Sequence, residues 1–154
     1  MSKASWSIPT WFFFHGFAEK VDETYYNNNY QSCFKIIRKI CSNLPCETCR
    51  LHAVQKMNQT PDYMIKTKEK LKEYLFNFHN EVSSRVGKPV YDKSILDKYK
   101  SYVILKGYLY FTKCFFKKFY SLQFNQWKRD MLLRELNKEM LEKWNLLFPS
   151  THNQ

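Results

Sequence analysis

The sequence predicts an all-α protein, because it contains few turn-forming residues and several apolar stripes at the helical period. Its 154 residues include only 3 glycines and 5 prolines, too few for the many tight turns of a sandwich or barrel. Hydrophobic residues make up 44% of the chain and aromatic residues 18%, so it can build a core, unlike a disordered chain. We expect a four-helix bundle over residues 1–100, ending in a short fifth helix, and a helical C-terminal extension over 101–154.

The first two predicted helices cover residues 10–25, after Pro9, and 30–42. The first carries four phenylalanines and is apolar almost all round, which is typical of a helix buried on every side. In so small a protein, this pattern predicts a subunit interface. The three asparagines at 27–29 predict a turn between the two helices. The second helix is expected to turn Cys33, Ile36, Ile37, Ile40 and Cys41 inward.

The later helices are predicted from apolar stripes and from residues that stop a helix. A short third helix covers 46–57, and a fourth, over 64–86, ends where Gly87 and Pro89 stop it. Beyond it we expect helices at 92–106, 108–122 and 125–147. The extension mixes aromatic residues with lysines, so it could pack on the bundle, form a second subunit contact or touch a membrane surface. We favour packing on the bundle.

The charge is strongly basic and evenly spread. The net charge is +11 and the pI is near 9.4; residues 1–90 hold 13 basic and 8 acidic side chains, and residues 91–154 hold 12 and 6. Nucleic acid or an anionic membrane would suit such a charge, but a lysine-rich surface is the simpler interpretation. We expect no nucleic-acid partner, no transmembrane segment and no signal peptide.

Two cysteines three residues apart are the clearest chemical signal. Cys46 and Cys49 follow Leu44 and Pro45 at a predicted helix start, where the helix dipole favours a thiolate. The pair could be a redox disulfide, or it could bind zinc together with Cys41 and His52. A thioredoxin-like fold is disfavoured because no βαβ unit is visible, and five cysteines do not fit a secreted disulfide framework.

Three segments, in this order, carry a family resemblance. Trp6-x4-Trp11-x3-His15-x2-Ala18 is similar to a first-helix signature, Leu44-Pro45-Cys46-x2-Cys49-x2-His52-Ala53 to an active-site segment, and His79-Asn80-x-Val82-x4-Gly87-Lys88-Pro89-x-Tyr91-Asp92 to a flavin-binding stretch. Over roughly residues 5–100 the chain therefore resembles the FAD-linked sulfhydryl oxidases of the ERV/ALR family, particularly the compact versions of large DNA viruses.

The resemblance implies a function and a set of site residues. Cys46 and Cys49 would form the redox disulfide, with Cys49 beside the isoalloxazine and Cys46 facing a dithiol or Cys-x-x-Cys substrate protein. Electrons would pass to FAD and then to O₂, giving H₂O₂, and the protein would be a homodimer built on the first two helices. The implied FAD-site residues are Thr10, Trp11, His15, Cys49, His52, His79, Asn80, Val82, Ser83, Val86, Lys88 and Tyr91, with Tyr99 or Lys100 as further candidates.

The chain also departs from the family pattern. Ser7 replaces a common glycine, Ser83 replaces an asparagine of the flavin stretch, and no second Cys-x-x-Cys is present, so substrates would have to reach Cys46 directly. Cys33 and Cys41 are interpreted as core thiols, and Cys114 has no assigned role.

If the chain is viral, we expect it in the host cytoplasm, the virion or both. The alternative functions are a zinc-binding, basic helical nucleic-acid-binding module and a scaffold protein that kept the fold without the activity.

Overall fold

The computed structural model describes residues 4–117 and 126–149, and within these ranges the chain is helical and has no strand. The all-α prediction is therefore confirmed. None of the described helices is long and apolar enough to cross a membrane. The helices are α1 (Ala4–Lys20), α2 (Glu23–Cys41), α3 (Glu47–Asn58), α4 (Lys68–Arg85), α5 (Ile104–Phe115) and α6 (Gln126–Leu147), with 3₁₀ segments at Asp62–Met64 and Lys93–Ser101.

Helix α1 lies between two groups of elements. It packs against α4 and the Lys93–Ser101 segment, which enclose the site described below, and also against α5. Helix α2 packs on α3, α4 and α6. The inward residues of α2 are buried as predicted, including Cys33 and Cys41, each 2% exposed.

The predicted start and end of the first helix and the predicted start of the second are wrong: α1 ends at Lys20, not at residue 25, and α2 begins at Glu23, not at residue 30. Pro9 lies inside α1, in its second turn, where the missing N–H costs the helix a backbone hydrogen bond. The turn before it is held in place because Trp6 is buried against Phe115. The predicted turn at residues 27–29 is a kink inside α2, where Asn29 has a non-helical φ of −135° and ψ of 28°. The Asn29 side-chain amide donates to the Tyr25 carbonyl at 2.9 Å. It thereby supplies a hydrogen bond to the helix backbone at the kink.

The interpretation of the phenylalanine cluster as a subunit interface is not supported for Phe13, Phe14 and Phe17, because the chain itself covers these side chains; only Phe12 is exposed. Phe13 stacks on Phe111 of α5 with ring centroids 4.9 Å apart, and Phe17 meets Phe148 edge-on at 5.7 Å. Both are fully buried. Packing of Phe111 and Phe148 on α1 thus accounts for much of its apolar character.

The segment after the bundle differs in detail from the prediction. The expected helix at 92–106 is a 3₁₀ segment ending at Ser101, and α5 starts at Ile104, so Gly107 lies in its first turn. The predicted 108–122 helix extends past residue 117, and the part beyond that residue lies outside the described residues. Lys118, Phe119 and Tyr120, which belong to the mixed aromatic and lysine residues of the extension, lie outside them too.

The predicted stop of α4 is confirmed, although the helix begins at Lys68, four residues later than expected. Gly87 has a φ of +75°; its N–H donates to the Ser84 carbonyl at 3.2 Å, and the Lys88 N–H donates to the Ser83 carbonyl at 2.8 Å. This pair of bonds is a Schellman motif, which needs glycine at the left-handed position. Beyond this turn, Lys88, Pro89 and Tyr91 line the same cavity as residues of α1.

Candidate functional site

The two paired cysteines differ in backbone conformation. Cys46 is the N-cap of α3, with an extended φ of −101° and ψ of 120°, and its sulfur accepts the Cys49 backbone N–H at 3.3 Å. Cys49 lies in the first helical turn. The preceding loop is held in place because Arg50 donates to the Leu44 carbonyl at 3.0 Å. Both sulfurs thus lie at the positive end of a helix, an environment that favours negative charge on sulfur.

A cavity of about 430 Å³ opens between α1, α4, the start of α3 and the Lys93–Ser101 segment. Its apolar walls come from α1 and α4, and Cys49 reaches it from α3. The Trp11 ring lies parallel to the His79 ring, with centroids 4.1 Å apart and planes at 4°. His15 is nearly parallel to both rings, at 22° to Trp11 and 24° to His79. The cavity therefore has a flat aromatic wall.

The two histidines of this wall are neutral at physiological pH. His15 Nε2 lies 3.0 Å from His79 Nδ1, so one ring donates a hydrogen bond to the other. Burial, with smaller contributions from His79 and Lys98, lowers the pKa of His15 to about 3. Burial, with contributions from Lys98 and Lys88, lowers the pKa of His79 to about 4. Neutral imidazoles can offer both a donor and an acceptor to a heterocyclic ligand.

The charged residues that line the cavity are all basic. Arg85, Lys88 and Lys98 contribute to its lining, whereas no aspartate or glutamate does so among the described residues. The FAD implied by the resemblance is a flat heterocycle joined to a diphosphate. The aromatic wall fits the heterocycle, and the three cations fit the diphosphate. The residues present therefore fit FAD.

Only one of the paired cysteines lines the cavity. Cys49 does and Cys46 does not. Cys41 also lines the cavity wall, but burial raises its pKa to about 12. Burial likewise raises the pKa of Cys33 to about 11. Both therefore remain protonated and unreactive at neutral pH, as expected of core thiols.

Most of the predicted FAD-site residues are brought together. Two are not: His52 lies half-buried on α3 away from the cavity, and Asn80 bonds the backbone of Tyr91, donating to its carbonyl at 2.9 Å and accepting its N–H at 3.0 Å. Asn80 therefore holds the loop that carries Lys88 and Tyr91. The predicted residues that line the cavity are Thr10, Trp11, His15, Cys49, His79, Val82, Ser83, Val86, Lys88 and Tyr91.

Sequence reasoning missed several residues of the cavity. Arg85 and Lys98 look like ordinary members of a lysine-rich surface, and no pattern in the sequence distinguishes them. Of the two further candidates, Tyr99 lines the cavity and contacts His15, with ring centroids 5.3 Å apart. Lys100 does not line it; its carbonyl accepts from Lys20 and its ammonium faces Asp97.

The zinc alternative requires Cys41, Cys46, Cys49 and His52 to converge. Within residues 4–117 and 126–149, no group of three or more histidine, cysteine or acidic side chains is placed to bind a metal ion. Cys41 faces the cavity wall, and His52 lies apart from it. The geometry therefore favours the redox interpretation of the pair.

Comparison with known proteins identifies the family. A family model described as Erv1 / Alr matches residues 8–102, more than half of the chain. No curated protein and no solved structure matches the chain. The matched residues contain both cysteines of the pair and nearly the whole lining of the cavity. The chain belongs to the Erv1 / Alr family and is an FAD-linked thiol oxidase.

Proposed function

We propose that this protein forms disulfides in substrate proteins through a Cys46–Cys49 disulfide, with FAD bound in the cavity and O₂ as the final acceptor. The observation that supports it best is that Cys49 lines the cavity while Cys46 does not. One sulfur is thereby available to the cofactor and the other to a thiol that arrives from solvent.

The exchange follows from the positions of the two sulfurs. A substrate thiolate attacks the Cys46 sulfur of the disulfide, and Cys49 leaves as a thiolate near the positive end of α3. A second substrate thiol then attacks the mixed disulfide and releases Cys46. The substrate loses two electrons and two protons, and the enzyme pair gains them. The reduced Cys46–Cys49 pair would pass these two electrons from Cys49 to FAD held in the cavity, which would supply the route to O₂ and hence to H₂O₂.

The other residues of the cavity bind and shield the cofactor. Trp11 and the His15–His79 pair offer a flat, neutral surface, and Lys88 and Lys98 offer positive charge to a diphosphate. Asn80 keeps Lys88 and Tyr91 in place by fixing the loop between them. Because the chain has no second Cys-x-x-Cys, we propose that a dithiol substrate protein reaches Cys46 directly.

The decisive experiment compares Cys49→Ser and Cys46→Ser, with Cys114→Ser as the matched control. Cys114 is a half-buried cysteine of α5, outside the cavity. Both active-site variants should keep their flavin absorbance and lose O₂ uptake driven by a dithiol, whereas the control should keep both. Each variant keeps one cysteine of the pair, and its reaction with an aromatic disulfide reagent can be timed. The mixed disulfide should form faster on Cys46 in Cys49→Ser than on Cys49 in Cys46→Ser. Full O₂ uptake in Cys49→Ser would refute the proposed relay.

The cavity assignment needs its own measurement. His79→Ala should lose FAD on gel filtration, and Lys66→Ala, which removes an exposed lysine outside the cavity, should retain it. His52→Ala tests the predicted residue that lies off the cavity, and we expect it to retain FAD. A colourless wild-type protein that binds one equivalent of zinc would favour the nucleic-acid-binding alternative. A colourless protein without zinc would favour the scaffold.

The homodimer and the location remain predictions. The Phe13 side of α1 is covered by α5, and α2 is contacted by α6, so a dimer built on these helices would have to use their remaining surfaces. Light scattering on the purified protein would give its mass directly. For the location, we propose the host cytoplasm or the virion of a large DNA virus, which immunolocalisation in infected cells would test.

A further inference from the structure

We propose that Tyr102 is a positioning residue for the FAD cavity, held by two glycines on different helices, and that through it α5 supports the cavity wall. This inference rests on the proposed FAD site. It gives the C-terminal extension a role in the function of the matched region.

The first observation is that Gly16 and Gly107 leave room for the Tyr102 ring, and we call this space the glycine slot. Gly16 in α1 and Gly107 in α5 are the two glycines that lie inside helices. A Cβ on Gly16 would overlap the Tyr102 ring, and a Cβ on Gly107 would fall on its hydroxyl and the adjoining ring atoms. Glycine inside a helix is less stable than alanine there. The close approach of one tyrosine ring therefore explains both glycines.

The second observation is that shape, and not hydrogen bonding, holds the ring. The Tyr102 hydroxyl is buried, and within the described part of the chain it has no hydrogen-bond partner. A hydroxyl buried in this way favours the unfolded state, where water solvates it. Packing of the aromatic ring must therefore be what holds Tyr102 in the slot.

The third observation connects the slot to the cavity. Tyr102 packs edge-on against Tyr99, with ring centroids 5.6 Å apart, and its N–H donates to the Tyr99 carbonyl at 3.1 Å. Tyr99 is 5% exposed, lines the cavity and contacts His15. Displacing the Tyr102 ring would therefore move Tyr99, and with it the support behind His15.

The test measures FAD affinity and thermal stability in parallel. Gly107→Ala and Tyr102→Ala should each weaken FAD binding about tenfold or more, measured by quenching of flavin fluorescence, and should alter the visible circular dichroism of bound flavin. Tyr102→Phe keeps the ring and should bind FAD like the wild type, with a melting temperature that is unchanged or higher. Leu136→Ala, at a fully buried side chain of α6, is the control for destabilisation alone.

The outcomes separate this inference from the proposed function. If Gly107→Ala and Leu136→Ala lower the melting temperature equally and weaken FAD binding equally, Tyr102 has only a structural role and the inference is wrong. Unchanged FAD binding in both Gly107→Ala and Tyr102→Ala would overturn it as well. If the wild type binds FAD but His79→Ala does not weaken binding, FAD does not bind in the proposed cavity, whatever the role of Tyr102.

Discussion

Acid should destabilise the cofactor-free protein through the buried histidine pair, and His15→Gln should remove a defined part of that effect. His15 has a pKa near 6.5 when unfolded and about 3 when folded. Between these values the unfolded chain binds a proton that the folded chain does not, so stability falls as the pH falls. Above pH 6.5 both states are neutral, and His15 contributes no pH dependence.

The size of the effect follows from the shift. One proton of difference gives a slope of about 1.4 kcal/mol per pH unit. From pH 7.5 to 4.5, His15 alone should therefore lower the free energy of unfolding by about 3 kcal/mol, since its folded pKa lies well below this window. The lowered pKa of His79 acts in the same direction. This loss is large against a typical total stability of about 5–15 kcal/mol.

The assay is urea unfolding of the apoprotein at half-unit pH steps between 7.5 and 4.5. Carboxylates titrate in the lower part of this range, so the informative quantity is the difference between wild type and His15→Gln. That difference should change by about 1.4 kcal/mol per pH unit below pH 6. Leu51→Ala, at an exposed side chain that carries no titratable group and lies outside the cavity, serves as the control and should parallel the wild type. Parallel curves for His15→Gln and wild type would show that the burial argument is wrong.

Three further changes test packing and the cavity loop. Phe13→Ala should cost about 3–5 kcal/mol of unfolding free energy in chemical denaturation, whereas Phe12→Ala, at a side chain 37% exposed, should cost about 1 kcal/mol. Gly87→Ala should lower the melting temperature, because a φ of +75° costs alanine about 1 kcal/mol. Asn80→Ala should release the Tyr91 loop and raise the Kd for FAD, measured by fluorescence, with little change in core stability; an unchanged Kd would mean that the loop is held without Asn80.

Features set by local chemistry were predictable from the sequence. The stop at Gly87 requires only a left-handed glycine followed by proline, and the helix start at Cys46 requires only the preceding loop and a capping side chain. The inward face of α2 follows from the spacing of its apolar residues at the helical period. In each case the residues that decide the structure are adjacent or one turn apart, so their order in the chain is sufficient.

Features set by contacts between distant residues were not predictable. The turn before Pro9 is held by burial of Trp6 against Phe115, more than a hundred positions later. The phenylalanines of α1 were assigned to a subunit interface because an apolar face does not identify what covers it. The same limit applies to Asn80, whose side chain matched a flavin motif but bonds the backbone of Tyr91. Lys98 reaches the cavity only because a 3₁₀ segment packs on α1.

The proposed division of roles between the two cysteines depends on where α3 begins. Two residues three apart within a helix lie on nearly the same face, so a pair inside α3 would direct both sulfurs towards the cavity. Cys46 avoids this because it is the N-cap and has an extended backbone, which turns its sulfur over the helix end to the Cys49 N–H. Cys49 lies inside the first turn and faces α1 and α4. In the proposed relay, Cys46 therefore exchanges with an incoming thiol while Cys49 keeps its place in the cavity.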